Sequence, residues 1–284
     1  MVANKDCDGK LNPWFITGLT DGDGSFWVSI VPNKKLKIGY EIKPEYCIVG
    51  SINPANYKLM ELIHSFFNGI GSIRVNNHTN MYEYKIKGTR PYRALFKNCL
   101  LVMQHFLAYP LMTNRLVNFT LWCEILKLIE TKEHLTSAGF NRILSIKAAF
   151  PRSLNSTLID KFPNTIPILL PEYNPVFFLA YATNLNYFWL AGFINTDGSF
   201  YFSLTRGVTA FISIAQNSKS LILLKAITSF IGCGYVTKIN ENEKDTVLEV
   251  KISKLSSIVP LLEKFKECKL HGSFCKIFRF FRLL

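Results

Sequence analysis

Trp14-Phe15-Ile16-Thr17-Gly18-Leu19-Thr20-Asp21-Gly22-Asp23-Gly24-Ser25-Phe26 is the stretch that decides the fold, because it occurs twice. Its second occurrence is Phe188-Trp189-Leu190-Ala191-Gly192-Phe193-Ile194-Asn195-Thr196-Asp197-Gly198-Ser199-Phe200. Both copies begin on aromatics, hold an internal glycine and end in Asp-Gly-Ser-Phe. The flanks echo as well, with Phe66-Phe67-Asn68-Gly69-Ile70-Gly71-Ser72-Ile73 resembling Phe230-Ile231-Gly232-Cys233-Gly234-Tyr235-Val236. Repetition at this separation predicts two copies of one unit about a pseudo-twofold axis.

Each copy reads as helix, two strands, helix, two strands, helix, which predicts an α+β fold of two αββαββα repeats. Residues 13–22 carry a helix signature, with Asn12 as cap, Pro13 at the first turn, and Gly22 and Gly24 at the close. After Asp23 the pattern alternates, setting Phe26, Val28 and Ile30 inward and Ser25, Trp27 and Ser29 outward. In the second copy Phe200, Phe202 and Leu204 form the inward row; Ser199, Tyr201, Ser203 and Thr205 form the outward one. Second strands are expected at about 37–49 and 208–216, and helices at about 54–67 and 218–230. Further strands are expected near 71–76, 81–88, 234–239 and 246–253, with helices after Pro91 and from Leu255. Tyr109 to Phe150 reads as two extra helices, and the proline-rich 151–185 as a linker. The predicted organisation is 1–150 for the first repeat and its extension, 151–185 for the linker, and 186–284 for the second repeat. That second repeat shows no counterpart of the extension before its aromatic end at Phe278–Leu284, so reduced stability is expected of it.

Composition narrows the function. Of 284 residues, 49% are hydrophobic and 14% aromatic, enough for a packed core. Thirty-three Lys and Arg against twenty Asp and Glu leave a formal charge of +13, which points to a polyanionic partner. The seven cysteines form no CxxC pair, against a zinc ribbon or disulfide framework. The N-terminus lacks an apolar signal core, and the greasy stretch from Ile166 to Phe193 is broken by prolines and asparagines. A soluble, intracellular protein with no membrane span is expected.

Against that positive background, acids at the ends of two helices stand out. A helix C-terminus carries partial negative charge, so carboxylates there need a cation. Helices packed side by side about a pseudo-dyad bring Asp23 and Asp197 together, and two carboxylates with exposed carbonyls suit Mg²⁺. Gly18 and Gly22, matched by Gly192 and Thr196, put small residues on one helical face and permit the close crossing.

These motifs resemble those of single-chain, double-motif LAGLIDADG homing endonucleases of the fungal mitochondrial, intron-encoded type. The likeness runs through Ile16–Gly24 and Leu190–Gly198, and extends to Tyr109-Pro110-Leu111, Lys132–Leu135 and Ile231–Tyr235. The resemblance implies antiparallel sheets forming a saddle over double-stranded DNA, with the motif helices at the central interface. It implies metal binding by Asp23 and Asp197, with the Gly22 and Thr196 carbonyls as additional ligands. Two or three divalent ions, Mg²⁺ first, with Ca²⁺ as a substitute that does not support cleavage, would yield a double-strand break with short 3′ overhangs. Asp21 is matched by Asn195, so its expected role is structural. Arg90 and Lys254, at the ends of the last strands, are the candidates for stabilising transition-state charge. His64, His78, His105, His134 and His271 show no repeated placement and read as solvated or partly buried.

The candidate DNA contacts follow from strand alternation. In the first copy they are Ser25, Trp27, Ser29, Asn33, Lys35, Glu41, Lys43, Glu45, Cys47, Ser72, Arg74, Asn76, Lys85 and Lys87. In the second they are Ser199, Tyr201, Ser203, Thr205, Arg206, Thr209, Phe211, Ser213, Tyr235, Thr237, Glu249 and Lys251. The rival expectation is a maturase that binds host intron RNA, or another nucleic-acid-binding protein of this fold without cleavage. Intact acids in both motifs favour cleavage. A monomer is expected, and a mitochondrial location is implied by the resemblance alone.

Overall fold

The computed structural model describes residues 10–88, 92–170, 184–204, 209–239 and 246–274, with backbone alone for 92–95. The first repeat runs α1 (Pro13–Asp23), β1 (Gly24–Pro32), β2 (Tyr40–Ser51), α2 (Pro54–Phe66), β3 (Ser72–Asn76), β4 (Met81–Lys87) and α3 (Tyr92–Ala108). Then come α4 (Arg115–Glu130), α5 (Ser137–Ala148) and the short α6 (Ser156–Lys161). The second repeat runs α7 (Tyr187–Asp197), β5 (Gly198–Ser203), β6 (Thr209–Asn217), α8 (Leu221–Ile231), β7 (Tyr235–Lys238), β8 (Val247–Ile252) and α9 (Leu255–Cys268). Two antiparallel four-stranded sheets result, ordered β1-β2-β4-β3 and β5-β6-β8-β7. Among the described residues no helix is long and apolar enough to cross a membrane.

The motif helices start and stop by the same devices. Asn12 accepts a hydrogen bond from the Trp14 N–H, and Asn186 accepts one from the Trp189 N–H, satisfying otherwise orphaned donors. The first helix runs one residue beyond the predicted stop, and both include their last aspartate. Gly24 and Gly198 then donate to the Thr20 and Ile194 carbonyls in an extended conformation. The chain thus leaves each helix directly into a strand, which fixes the carboxylate at the junction.

A steric match holds the two repeats together. A methyl built on Gly18 would stand 2.0 Å from the Trp189 carbonyl oxygen, and one on Gly192 would stand 2.1 Å from that of Phe15. Any side chain at either place would drive the helices apart. Trp189 also reaches across the crossing, donating its indole N–H to Asp21 Oδ2 at 2.8 Å.

The first sheet packs its inward row of Phe26, Val28 and Ile30 under α3 and α4, as the alternation predicts. Phe26 alone meets the rings of Tyr46, Phe106, Phe119 and Trp122 at 5.1–5.4 Å. In the second sheet Phe200 and Phe202 are partly buried. Leu204, expected inward, is instead 75% exposed, because β5 ends at Ser203 and releases it from the alternation. Part of the predicted linker is structured: α6 buries Leu158, and Phe162 after it packs on Tyr40 and Phe140 of the first repeat. Arg90, Thr205, Arg206 and the aromatic end at 278–284 lie outside the described residues.

Candidate functional site

At the C-terminal end of the helix crossing, the two acids come together. A methyl on Gly22 would stand 1.8 Å from Thr196 Oγ1 and 2.8 Å from Asp197 Oδ2, so Gly22 is what allows the opposite carboxylate in. Burial and the Asp23 charge push the Asp197 carboxyl up to about 7, with Arg115 and Gln216 opposing them. Burial also raises Asp23, and Arg115 pulls it back. Two half-buried carboxylates therefore share a volume holding less positive charge than they need.

Arg115 and Gln216 are functional candidates that sequence reasoning missed. Arg115, on the first turn of α4, donates from Nη2 to the Gly22 carbonyl at 2.8 Å, and its charge acts on both Asp23 and Asp197. It follows the quoted Tyr109-Pro110-Leu111 segment, so its signal was proximity to a recognisable motif. Gln216 donates from Nε2 to Asp197 Oδ2 at 2.7 Å. It sits on the inward row of β6, two residues after Ile214, and a search of outward rows passes it by. Lys254, by contrast, is exposed at the start of α9, and its charge does not register at either carboxylate.

Asp21 is a clamp beside the site. Its carboxylate accepts from the Met112 and Thr113 backbone N–H groups, the Thr113 hydroxyl and the Trp189 indole. Burial raises it to about 6 even so. Its counterpart Asn195 accepts from the His271 N–H at 3.0 Å. The expected interface role of this position describes what the side chains do.

The outward residues line up across each sheet by register. Ser25, Cys47, Lys85 and Ser72 form one row over the four strands of the first sheet; Ser199, Ser213, Lys251 and Tyr235 form its counterpart. Beside them run Trp27, Glu45 and Lys87 in the first sheet and Tyr201 and Phe211 in the second. Ser29 faces Lys43, Arg74 faces Glu83, and Thr237 faces Glu249. Glu83 shares the face with Lys85 and Lys87 and belongs among the candidates, although sequence reasoning omitted it.

Several expected contacts are less open than alternation alone implies, among them Ser213, which is 4% exposed between Ile212 and Ile214. Glu41 and Cys47 are buried, and burial lifts the Cys47 thiol to about 12, so it is a neutral packing group. Trp27 is covered by Lys147, whose ammonium lies 3.8 Å from the ring centroid, and its indole donates to Ser29. Lys35 and Asn33 occupy the exposed turn after β1, with Asn33 bonded to Glu41. Asn76 is held by Glu83. Ser203 pairs with Thr209 at the far end of the β5–β6 ribbon.

Comparison with known proteins places this geometry. A family described as LAGLIDADG endonuclease matches residues 16–126 and 190–283. The chain is 28% identical over 273 residues to a probable intron-encoded endonuclease 2 of Neurospora crassa, covering 93% of this chain but 57% of that protein. The chain therefore spans little more than half the length of that relative. Among solved structures, the I-SmaMI LAGLIDADG homing endonuclease bound to cleaved DNA superposes with a TM-score of 0.79 at 28% identity, over 95% of this chain and 87% of that one. I-SmaMI bound to uncleaved target in the presence of calcium ions gives 0.78 at 28%, over 96% and 92%.

Proposed function

Because the chain belongs to the LAGLIDADG endonuclease family, we propose that it is a site-specific DNA endonuclease of the homing type, acting as a monomer on double-stranded DNA. The observation that carries this reading is the meeting of Asp23 and Asp197 at the crossing of α1 and α7. That meeting lies where the two repeats join, each with one outward sheet face for DNA. A two-stranded ribbon fits the major groove, and rows of mixed donors and acceptors suit the reading of base edges. The net charge of +13 supports phosphate attraction over that surface.

The donor set fits a divalent cation. Two carboxylates raised by burial and mutual repulsion gain from a cation between them, and all the available donors are hard oxygens. Asp23 and Asp197 would hold it, with the Thr196 carbonyl. The Gly22 carbonyl is already engaged by Arg115, which leaves it one lone pair. Among the described residues no group of three His, Cys, Asp or Glu forms an alternative centre. A bound Mg²⁺ supplies activated water and neutralises charge on the scissile phosphate. Within the chain, Gln216 orients the Asp197 carboxylate, Arg115 sets positive charge at the crossing, and the Asp21 clamp fixes the two helices. Staggered cuts with short 3′ overhangs and a mitochondrial, intron-encoded origin complete the proposal.

The test is selection from a randomised duplex DNA library with Mg²⁺, followed by sequencing of the cut ends. Recovery of one site with a fixed short 3′ stagger supports the reading. A folded chain that cuts nothing and binds a structured intron RNA tightly contradicts it and favours the maturase alternative.

A further inference from the structure

The crossing of α1 and α7 has a second end. Each helix has eleven residues and rises about 1.5 Å per residue, so the first turns stand roughly 15 Å from the paired acids. There a cavity of about 220 Å³ lies between the repeats. Lys10, Phe15, Lys58 and Leu62 line it from the first repeat, Phe188 and Lys269 from the second. Among the described residues no Asp or Glu lines it.

Local structure brings these residues to one volume. Lys58 and Leu62 are four apart on α2 and share a face of that helix. Lys269 directly follows α9 at φ +43°, a left-handed conformation that costs energy for any residue with a side chain. The His271 ring meets Phe15 edge-on at 4.9 Å and holds the segment after α9 against α1. Phe15 is buried and forms the floor, with Leu62 and Phe188 half-buried around it, while all three lysines are exposed. On the first sheet Lys43, Lys85 and Lys87 each lie beside a glutamate. This cavity instead gathers three ammonium groups around a wall without a carboxylate. An anion relieves their repulsion, and the positive ends of the α1 and α7 dipoles favour it too. The volume falls below the ~300 Å³ at which small-molecule pockets begin, so it takes a flat ring and leaves the charged part of a ligand at the mouth. A ring on an apolar floor with several negative charges at the rim is the chemistry of a nucleotide.

We infer that this cavity binds a nucleoside diphosphate, its base on the floor of Phe15, Leu62 and Phe188 and its phosphates among Lys10, Lys58 and Lys269. Because both repeats contribute, the bound ligand ties them together at the end of the crossing opposite the acids. The site stands apart from the endonuclease reading, since it uses neither acid and neither sheet face.

The experiment titrates the full chain with ADP, adenosine and pyrophosphate by calorimetry, at about 150 mM salt and without divalent metal, and follows thermal unfolding with each. ADP is expected to bind at one site per chain. At about a hundredfold excess over its dissociation constant it should raise the unfolding midpoint by roughly 5 °C. Adenosine lacks the charge and pyrophosphate the ring, so each should bind at least about tenfold more weakly. Lys58→Glu should weaken ADP by at least about tenfold. Lys225→Glu, the same charge change at an exposed place on α8, should leave ADP binding unchanged. Leu62→Trp, whose ring fills the cavity, should abolish binding while the chain still unfolds cooperatively. Pyrophosphate binding as tightly as ADP overturns the nucleotide assignment. Absence of saturable binding, or equal weakening by Lys58→Glu and Lys225→Glu, overturns the site itself. The titration contains no DNA, so its result and that of the cleavage test are read apart.

Discussion

The first sheet holds its outward face with charge, the second with rings. On the first, Lys43 pairs with Glu41, Lys85 with Glu83 and Lys87 with Glu45. On the second, Tyr201 stacks on Phe211 at 5.0 Å, and the Lys251 ammonium lies 4.6 Å from the Phe211 centroid. The inward sides differ in burial: Phe26 is 2% exposed, while Phe200, which meets Phe274 at 5.9 Å, stays partly buried. Duplication therefore preserves what the crossing requires, namely the caps, the glycines, the register and the terminal aspartates. It leaves free how each sheet is supported and how each face is charged.

The crossing should respond symmetrically, and strongly. Gly18→Val and Gly192→Val each place a branched side chain against a backbone carbonyl of the other helix. Each is expected to cost about 3 kcal/mol or more, read from urea denaturation. A large difference between them would break the idea that both helices approach on equivalent terms.

A buried histidine should set an acid-sensitive contribution in the first repeat alone. His105, on α3, has its Nε2 buried without a hydrogen-bond partner, and burial lowers its pKa to about 4. The unfolded chain takes up that proton near pH 6.5 and the folded chain only near pH 4, so the contribution of this group to stability falls as pH drops through that window. The loss should approach roughly 3 kcal/mol by pH 4. Counting back from the equivalent Leu111 and Leu270, the second repeat has the surface Lys264 at this place, paired with Glu267. Denaturation of the native chain and His105→Phe across pH 4–7 checks this: the raised carboxylates of Asp21 and Asp197 act in the opposite sense in both proteins, so the stability of the variant relative to the native chain should rise as pH falls through the window.

The clamp should be unequal between halves. Both Asp21 oxygens accept hydrogen bonds, so Asp21→Asn turns an amide N–H₂ towards donors and should cost about 2 kcal/mol. Asn195→Ala loses the bond from His271 and should cost about 1 kcal/mol. The smallest effect concerns the faces. Lys43→Ala and Lys251→Ala should each change stability by less than about 1 kcal/mol. Binding titrations at several salt concentrations should show a shallower salt slope for Lys251→Ala, because Lys43 is already engaged by Glu41.

Much of this was legible in the sequence because it rests on short-range rules. Asn12 and Pro13 open a helix wherever they precede an apolar run, and alternation in β1 and β4 sets faces without knowledge of the partner strand. Gly18 and Gly192 announced the crossing because they recur in one motif. Arg115 was marked only by its nearness to Tyr109-Pro110-Leu111: it is far along the chain from Gly22, and only the packing of α4 carries it there. Gln216 was hidden by its inward row, where a polar residue at a strand end turns to the helix junction. Leu204 was misassigned because alternation does not say where a strand stops.

The most direct test compares double-strand cleavage of the selected site by the native chain, Asp23→Asn and Asp197→Asn, with DNA binding and thermal stability measured on the same samples. Both variants should fold and bind like the native chain and lose double-strand cleavage by at least about a hundredfold. Either variant making double-strand breaks at the native rate would contradict the claim that the paired acids at the helix crossing form the active site.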